Sequence, residues 1–165
     1  MKIIEKKTTF GLIVGTRGFF NQALAAEGRK QLLTKLEKSG YDYVIPPEDA
    51  TPNGVIETLK DARICAELFQ EKRNNIDGII VVLPNFGDEL GVVNTLNLAQ
   101  LDVPVLVQAC DDDLVHVDVS GRRDAFCGKL SVCNNLYQYG IPFTDTIEHT
   151  CTIDSDVFTK DLDFF

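Results

Sequence analysis

Apolar residues in this chain gather in short unbroken runs, separated by longer stretches in which they recur every three or four positions. Thr9-Phe-Gly-Leu-Ile-Val-Gly15 is the first run, followed by Tyr43-Val-Ile-Pro46, Asp77-Gly-Ile-Ile-Val-Val-Leu-Pro84 and Val103-Pro-Val-Leu-Val-Gln-Ala-Cys110. A run without alternation is what a strand buried on both faces of a parallel sheet requires, and the third is the clearest. Between the runs, the spacing predicts a helix over Asn21 to Ser39, with Leu24, Gly28, Leu32, Leu33 and Leu36 on one face and Gly40 as its C-terminal cap. Thr51-Pro-Asn-Gly marks a turn, and Val55 to Asn75 follows as a second helix with Ile56, Leu59, Arg63, Ala66 and Phe69 aligned. Further helices are predicted from about Leu90 to Leu101 and from about Phe126 to Tyr139. A fifth strand is expected within Phe143 to Thr150, and a closing helical pattern over Asp154 to Phe165.

Strands separated by helices of this length imply right-handed βαβ units. The expected fold is therefore α/β: a flavodoxin-like, doubly wound parallel five-stranded sheet of order 2-1-3-4-5 in three α/β/α layers, with residues 1–165 forming one domain. Such sheets bind ligands beyond the carboxyl ends of their strands, near the point where the winding reverses. That rule selects three loops: Thr16-Arg-Gly-Phe-Phe20, Asn85-Phe-Gly-Asp-Glu89, and the acidic segment Asp111 to Asp118 with Ser120-Gly-Arg-Arg-Asp124 behind it.

Charge narrows the possible partners. The 165 residues carry 25 acids against 16 bases, a net charge of −9, which argues against nucleic acid and against anionic membrane surfaces. Met1 to Lys7 has too short an apolar run for a signal peptide, and no later segment is long enough to span a bilayer, so a cytoplasmic location is expected. The five cysteines are odd in number and lack any C-x-x-C pair, which indicates reduced thiols rather than a disulfide framework or a zinc knuckle. Cys65 and Cys110 read as core filler. Cys127 lies near a predicted helix start with Arg122, Arg123 and Lys129 close by, features that lower a thiol pKa. With only two histidines there is no evident base for a cysteine hydrolase, and Cys127 is expected to pack against the sheet.

Gly15-Thr-Arg-Gly18-Phe-Phe satisfies neither G-x-G-x-x-G nor the P-loop pattern, so no nucleotide site is indicated there. Arg17 is either a clamp for a hydroxyl or anion or one half of a surface ion pair. Phe86, beside Asn85 and Asp88, either stacks on a sugar face or covers the sheet edge. Arg122 and Arg123 supply forked donors suited to carboxylates, phosphates or sugar hydroxyls, and Asp124 is placed to orient either one. Asp111, Asp112, Asp113 and Asp118 with His116 lack the alternate spacing and glycine of a calcium loop, and read as a solvated acidic loop. His149 reads as a structural histidine.

Four segments together resemble the N-terminal portion of the L-fucose and L-arabinose isomerase family: Gly15-Thr-Arg-Gly-Phe-Phe-Asn-Gln-Ala-Leu-Ala-Ala-Glu-Gly28, Thr51-Pro-Asn-Gly, Leu83-Pro-Asn-Phe-Gly-Asp-Glu89, and Arg122-Arg-Asp-Ala-Phe-Cys-Gly-Lys-Leu-Ser-Val-Cys-Asn-Asn-Leu. The resemblance covers nearly the whole chain. It implies a multidomain aldose-ketose isomerase in which manganese, held by Glu, Asp and His of later domains, acts as a Lewis acid on the sugar. It also implies that the N-terminal domain covers the substrate in a homo-oligomer, contacting neighbouring subunits and contributing no catalytic residue. Carried over by position, Arg17, Asn85, Phe86, Arg123 and Asp124 would contact the sugar. No metal ligand is expected within these 165 residues. The alternative is a self-contained flavodoxin-like binding or interaction module without catalysis.

Overall fold

The computed structural model describes residues 7–165; the short apolar run weighed above as a signal peptide lies largely outside the described residues. Five parallel strands, β1 (Thr9–Val14), β2 (Asp42–Val44), β3 (Gly78–Leu83), β4 (Val105–Ala109) and β5 (Thr144–Asp145), pair in the order β2-β1-β3-β4-β5. This is the expected order. The winding reverses between β1 and β3, whose register runs from Phe10 opposite Gly78 to Val14 opposite Val82.

Five helices complete the layers: α1 (Gln22–Ser39), α2 (Leu59–Glu71), α3 (Glu89–Ala99), α4 (Ala125–Gln138) and α5 (Asp156–Phe164). One core, containing Ile13, Phe69, Val81, Val93, Val107 and Leu136, lies between the sheet and α2, α3 and α4. The other, containing Leu12, Leu32, Leu36, Ile80, Leu106 and Phe158, lies under α1 and α5. Every residue of β3 and β4 is buried, as the unbroken apolar runs require. Each fully buried Leu or Phe contributes roughly 1.5–3 kcal/mol by leaving water.

Local chemistry moves some of the expected boundaries. α2 begins at Leu59 rather than Val55, because Thr58 and Asp61 form a reciprocal capping box that starts the helix there. The residues before it run extended: Ile56 bridges Gly15, and its amide donates to the Val14 carbonyl at 2.8 Å. This brings Glu57 to the carboxyl edge of β1. α2 ends at Glu71, and Arg73–Asn75 is a separate 3-10 turn. On α1, Ala25 and Arg29 join Gly28, Leu32 and Leu36 on the buried face, while Leu24 and Leu33 are half-buried. The C-terminal helix packs through Phe158 and Leu162, leaving Phe164 exposed.

β5 shrinks from the expected Phe143 to Thr150 to two residues, and the cause is Lys129 on α4. Its side chain is fully buried. The ammonium lies 2.5 Å from Asp145 Oδ1 and donates to Thr146 Oγ1 at 2.5 Å and to the His149 carbonyl at 2.8 Å. Wrapping three groups around one buried cation curls the chain off the sheet directly after Asp145. Asp145 is half-exposed whereas Lys129 is not, so the two partners are not equivalent. Replacing Asp145 by Ala leaves a buried cation without its counter-charge; because Asp145 is half-exposed and water can take its place, the loss falls below the roughly 3–5 kcal/mol of a fully buried pair. Lys129→Met removes the charge and keeps the volume, and is expected to cost less. Urea denaturation of the two variants, read as midpoint and slope, checks this ordering.

Candidate functional site at the carboxyl edge

The three loops selected from the sequence meet at the carboxyl edge of the sheet. Asn85, expected among the sugar-contacting residues, is fully buried. Its Nδ2 donates to Thr16 Oγ1 at 2.9 Å, and its Oδ1 accepts from the Gly87 amide at 3.2 Å. It therefore ties the loop after β1 to the loop after β3. Gly87 takes a φ of 71° there, a left-handed conformation that glycine adopts without strain. Asp88 then caps α3 by accepting from the Gly91 amide at 2.9 Å. From the other side, α4 approaches so closely at Gly128 that a Cβ there would overlap the Phe86 carbonyl.

Phe86, held in this way, is half-buried and carries the rest of the site. The guanidinium carbon of Arg17 lies 4.4 Å from its ring centroid, a cation–π contact. The ring of Phe20 stacks on it at 5.9 Å with 17° between planes. The Arg122 guanidinium lies 6.0 Å from the Phe20 centroid. The result is a strip, Arg17–Phe86–Phe20–Arg122, with a cation at each end of two stacked rings. Phe19 meets Phe20 edge-on and is 69% exposed.

Both terminal cations are paired with acids. Arg17 Nη2 donates to Glu89 Oε2 at 2.6 Å and lies 3.6 Å from Asp88 Oδ2. Arg122 Nε donates to Asp124 Oδ2 at 2.6 Å. Glu57 accepts from the Gly18 amide at 2.6 Å, one residue along the loop from Arg17. Asp124 occupies the N-cap position of α4 with φ 51°, yet its side chain makes no capping bond and is turned to Arg122 instead. Of the two arginines that it was placed to orient, it holds Arg122 alone. Arg123 donates from Nη1 to the Pro84 carbonyl at 2.6 Å. It lines two clefts, one of about 170 Å³ shared with Asp112, His116 and Asp124, and one of about 350 Å³ shared with Gln31, Cys110 and Asp154. A larger depression of about 480 Å³ lies at the amino edge of β4, lined by Leu96, Leu101 and Ile141, on different loops from the arginines.

The acidic segment is internally bonded. Asp113 Oδ2 lies 2.6 Å from His116 Nδ1 and its Oδ1 accepts from the Val115 amide at 2.9 Å, while Asp118 accepts from the amides of Ser120 and Gly121. Leu114, Val115, Val117 and Val119 on the same segment are all strongly exposed. Among the described residues, no three His, Cys, Asp or Glu side chains are grouped to hold a metal ion. Cys65, Cys110 and Cys151 are buried, and burial pushes the Cys110 thiol up to about 11. Cys127 is exposed, contrary to the expectation that it packs against the sheet: it falls on the face of α4 opposite the buried Ala125, Gly128, Val132 and Leu136. His149 bonds the Phe126 carbonyl at 3.0 Å and packs on the Phe126 ring at 4.3 Å, a structural role. It lies in a turn rather than a strand.

Sequence reasoning missed Phe20 and Glu57 as parts of this edge. Phe20 stood in the Thr16–Phe20 loop without a role of its own. Its adjacency to Arg17 and the paired Phe-Phe was the available signal. Nothing in the sequence places Glu57 here, because its position depends on the Ile56 bridge to Gly15.

An α/β/α domain of flavodoxin-like topology, with arginines, carboxylates and an aromatic strip at the carboxyl edge, is suited to a small polar ligand with an apolar face. The chain belongs to the fucose/sulfoquinovose isomerase family, whose N-terminal-domain profile matches residues 11–165. No curated protein and no solved structure matches it. Among the described residues, no helix is long and apolar enough to cross a membrane.

The Asp113 bond raises the His116 pKa above its ordinary 6.5, and the same bond lowers that of Asp113 below 3.8. The stabilisation linked to His116 is fully present below 6.5 and is lost as pH rises through the raised value. The part linked to Asp113 is present above 3.8 and is lost as pH falls through the lowered value. An NMR titration of the His116 ring should give a midpoint above 6.5 that falls in Asp113→Asn; a midpoint unmoved by that substitution would contradict the pairing.

Proposed function

We propose that this chain is the substrate-covering N-terminal domain of an aldose-ketose isomerase, presenting its carboxyl edge to a sugar bound mainly by other domains of the parent protein. The observation that carries this reading is the Arg17–Phe86–Phe20–Arg122 strip. The exposed Phe19 ring beside the strip suits the C–H face of a pyranose, and forked guanidiniums suit its hydroxyls. Arg17 and Phe86 contact the sugar, Arg123 and Asp124 border it from the loop before α4, and Asn85 acts by holding the two loops in register. The name of the family spans two aldoses, a neutral deoxy sugar and one bearing a sulfonate.

In this reading the domain supplies contact and exclusion of water, and no catalytic group. Manganese, which the resemblance implies, would be held by residues of the other domains, since the described residues offer no grouping to fit it. The exposed Leu114, Val115, Val117 and Val119 beside Arg122 suit docking against the remaining domains or a neighbouring subunit of a homo-oligomer.

The test uses the full-length isomerase. Arg17→Ala is expected to raise KM for the aldose about tenfold, the loss of one charge-assisted hydrogen bond, with manganese content unchanged. Arg123→Ala should behave in the same direction. The isolated 165-residue chain should show no turnover with manganese added. Turnover by the isolated chain, or loss of metal in the arginine variants, would overturn the assignment and favour a self-sufficient protein.

A further inference from the structure

The two arginines of the strip are already occupied, and by carboxylates. Glu89 takes the Nη2 donor of Arg17 at 2.6 Å, with Asp88 at 3.6 Å from the same nitrogen. Asp124 takes Arg122, and Glu57 stands one residue from Arg17 on the Gly18 amide. Two guanidiniums thus face three carboxylates, in a chain whose net charge is −9. Resting on the reading of this edge as sugar-facing, we infer that Glu89, with Asp88, is a charge filter that makes Arg17 a hydrogen-bond donor to neutral hydroxyls and rejects an aldose bearing a sulfonate or phosphate on the side facing this edge.

The chemistry follows from what each group can donate and accept. A hydroxyl does both, so a vicinal diol accepts from the unshared N–H groups of Arg17 while donating to Asp88 or Glu89, and no charge is left unpaired. A sulfonate offers three acceptors and no donor. To reach Arg17 it must displace Glu89 and then remain beside Glu89 and Asp88 as a like charge. Arg123 does not relieve this. Its Nη1 is bound to the Pro84 carbonyl, and Asp111, Asp112 and Asp113 share its clefts. Glu89 is the determining residue because it is in direct contact, whereas Asp88 also caps α3.

The experiment follows the backbone amides of Arg17, Gly18 and Gly87 by NMR in the isotope-labelled chain. It is titrated separately with L-fucose and with sodium methanesulfonate, ionic strength being held constant with chloride. In the wild-type chain these amides should move with L-fucose and stay unmoved by methanesulfonate. Glu89→Gln should acquire methanesulfonate binding at least about tenfold tighter than wild type, the effect of removing one unit charge at contact distance. Adding Asp88→Asn, which keeps the α3 cap, should strengthen it further. Equal methanesulfonate binding in wild type and Glu89→Gln, or binding in neither, overturns the filter. Failure of L-fucose to move these amides overturns the neutral-sugar assignment. If Glu89→Gln gains sulfonate binding while Arg17→Ala leaves KM of the full-length isomerase unchanged, the filter stands and the substrate-covering reading falls.

Discussion

The Phe86 carbonyl sits where a side chain at position 128 would have to be. Much of the carboxyl edge depends on that absence. Because α4 touches the loop after β3 through backbone rather than through a side chain, Phe86 is fixed from beneath, and both Arg17 and Phe20 are arranged on its ring. The same helix contact brings Ser120 and Arg122 within reach of the loop after β1, where Asn21 Nδ2 donates to the Ser120 carbonyl at 2.8 Å. Three loops from distant parts of the chain are thereby held by contacts whose geometry leaves little room for drift. Preorganisation of this kind lowers the entropy lost when a ligand binds.

Lys129, one residue after that glycine, extends the constraint to the far end of the sheet. A buried ammonium is costly unless its charge and its donors are matched, and here Asp145, Thr146 and the His149 carbonyl match them. α4 is thus tied at adjacent residues to the loop after β3 and to the segment after β5. The helix is positioned by polar contacts as well as by the burial of Val132 and Leu136. A slide along the sheet would break both ties together.

The sheet order, all five helices and the three site loops were legible in the hydrophobic pattern, because β3 and β4 are buried on both faces and sequences of that kind have few alternatives. What was not legible depends on pairings across the chain. The start of α2 depends on the Thr58–Asp61 box, a local signal that lay in view. The truncation of β5 depends on a lysine in another helix, and the arrival of Glu57 at the site depends on a bridge between Gly15 and Ile56. Arg17 and Phe86 were recognisable as candidates from their places after β1 and β3. That they touch each other was not, since the contact depends on the left-handed turn at Gly87 and the buried amide of Asn85. Cys127 was misplaced although the spacing bears on it: Ala125, Gly128, Val132 and Leu136 mark the buried face of α4, and Cys127 falls on the opposite one.

Asp124 connects the local and the functional chemistry most directly. An aspartate at an N-cap ordinarily accepts from the first free amides of its helix, a contribution of about 1 kcal/mol. Here it adopts a left-handed φ, leaves that bond unmade and holds Arg122. A residue that gives up its own helix to orient an arginine is explained by the arginine's position rather than by the helix's stability. Arg122 in turn closes the aromatic strip opposite Arg17, whose own carboxylate partners begin another helix. At both ends of the strip, acids at helix starts set the direction in which a guanidinium faces. The edge is therefore organised to offer oriented donors with little net positive charge, which is the electrostatic character that a neutral polyhydroxylated ligand requires.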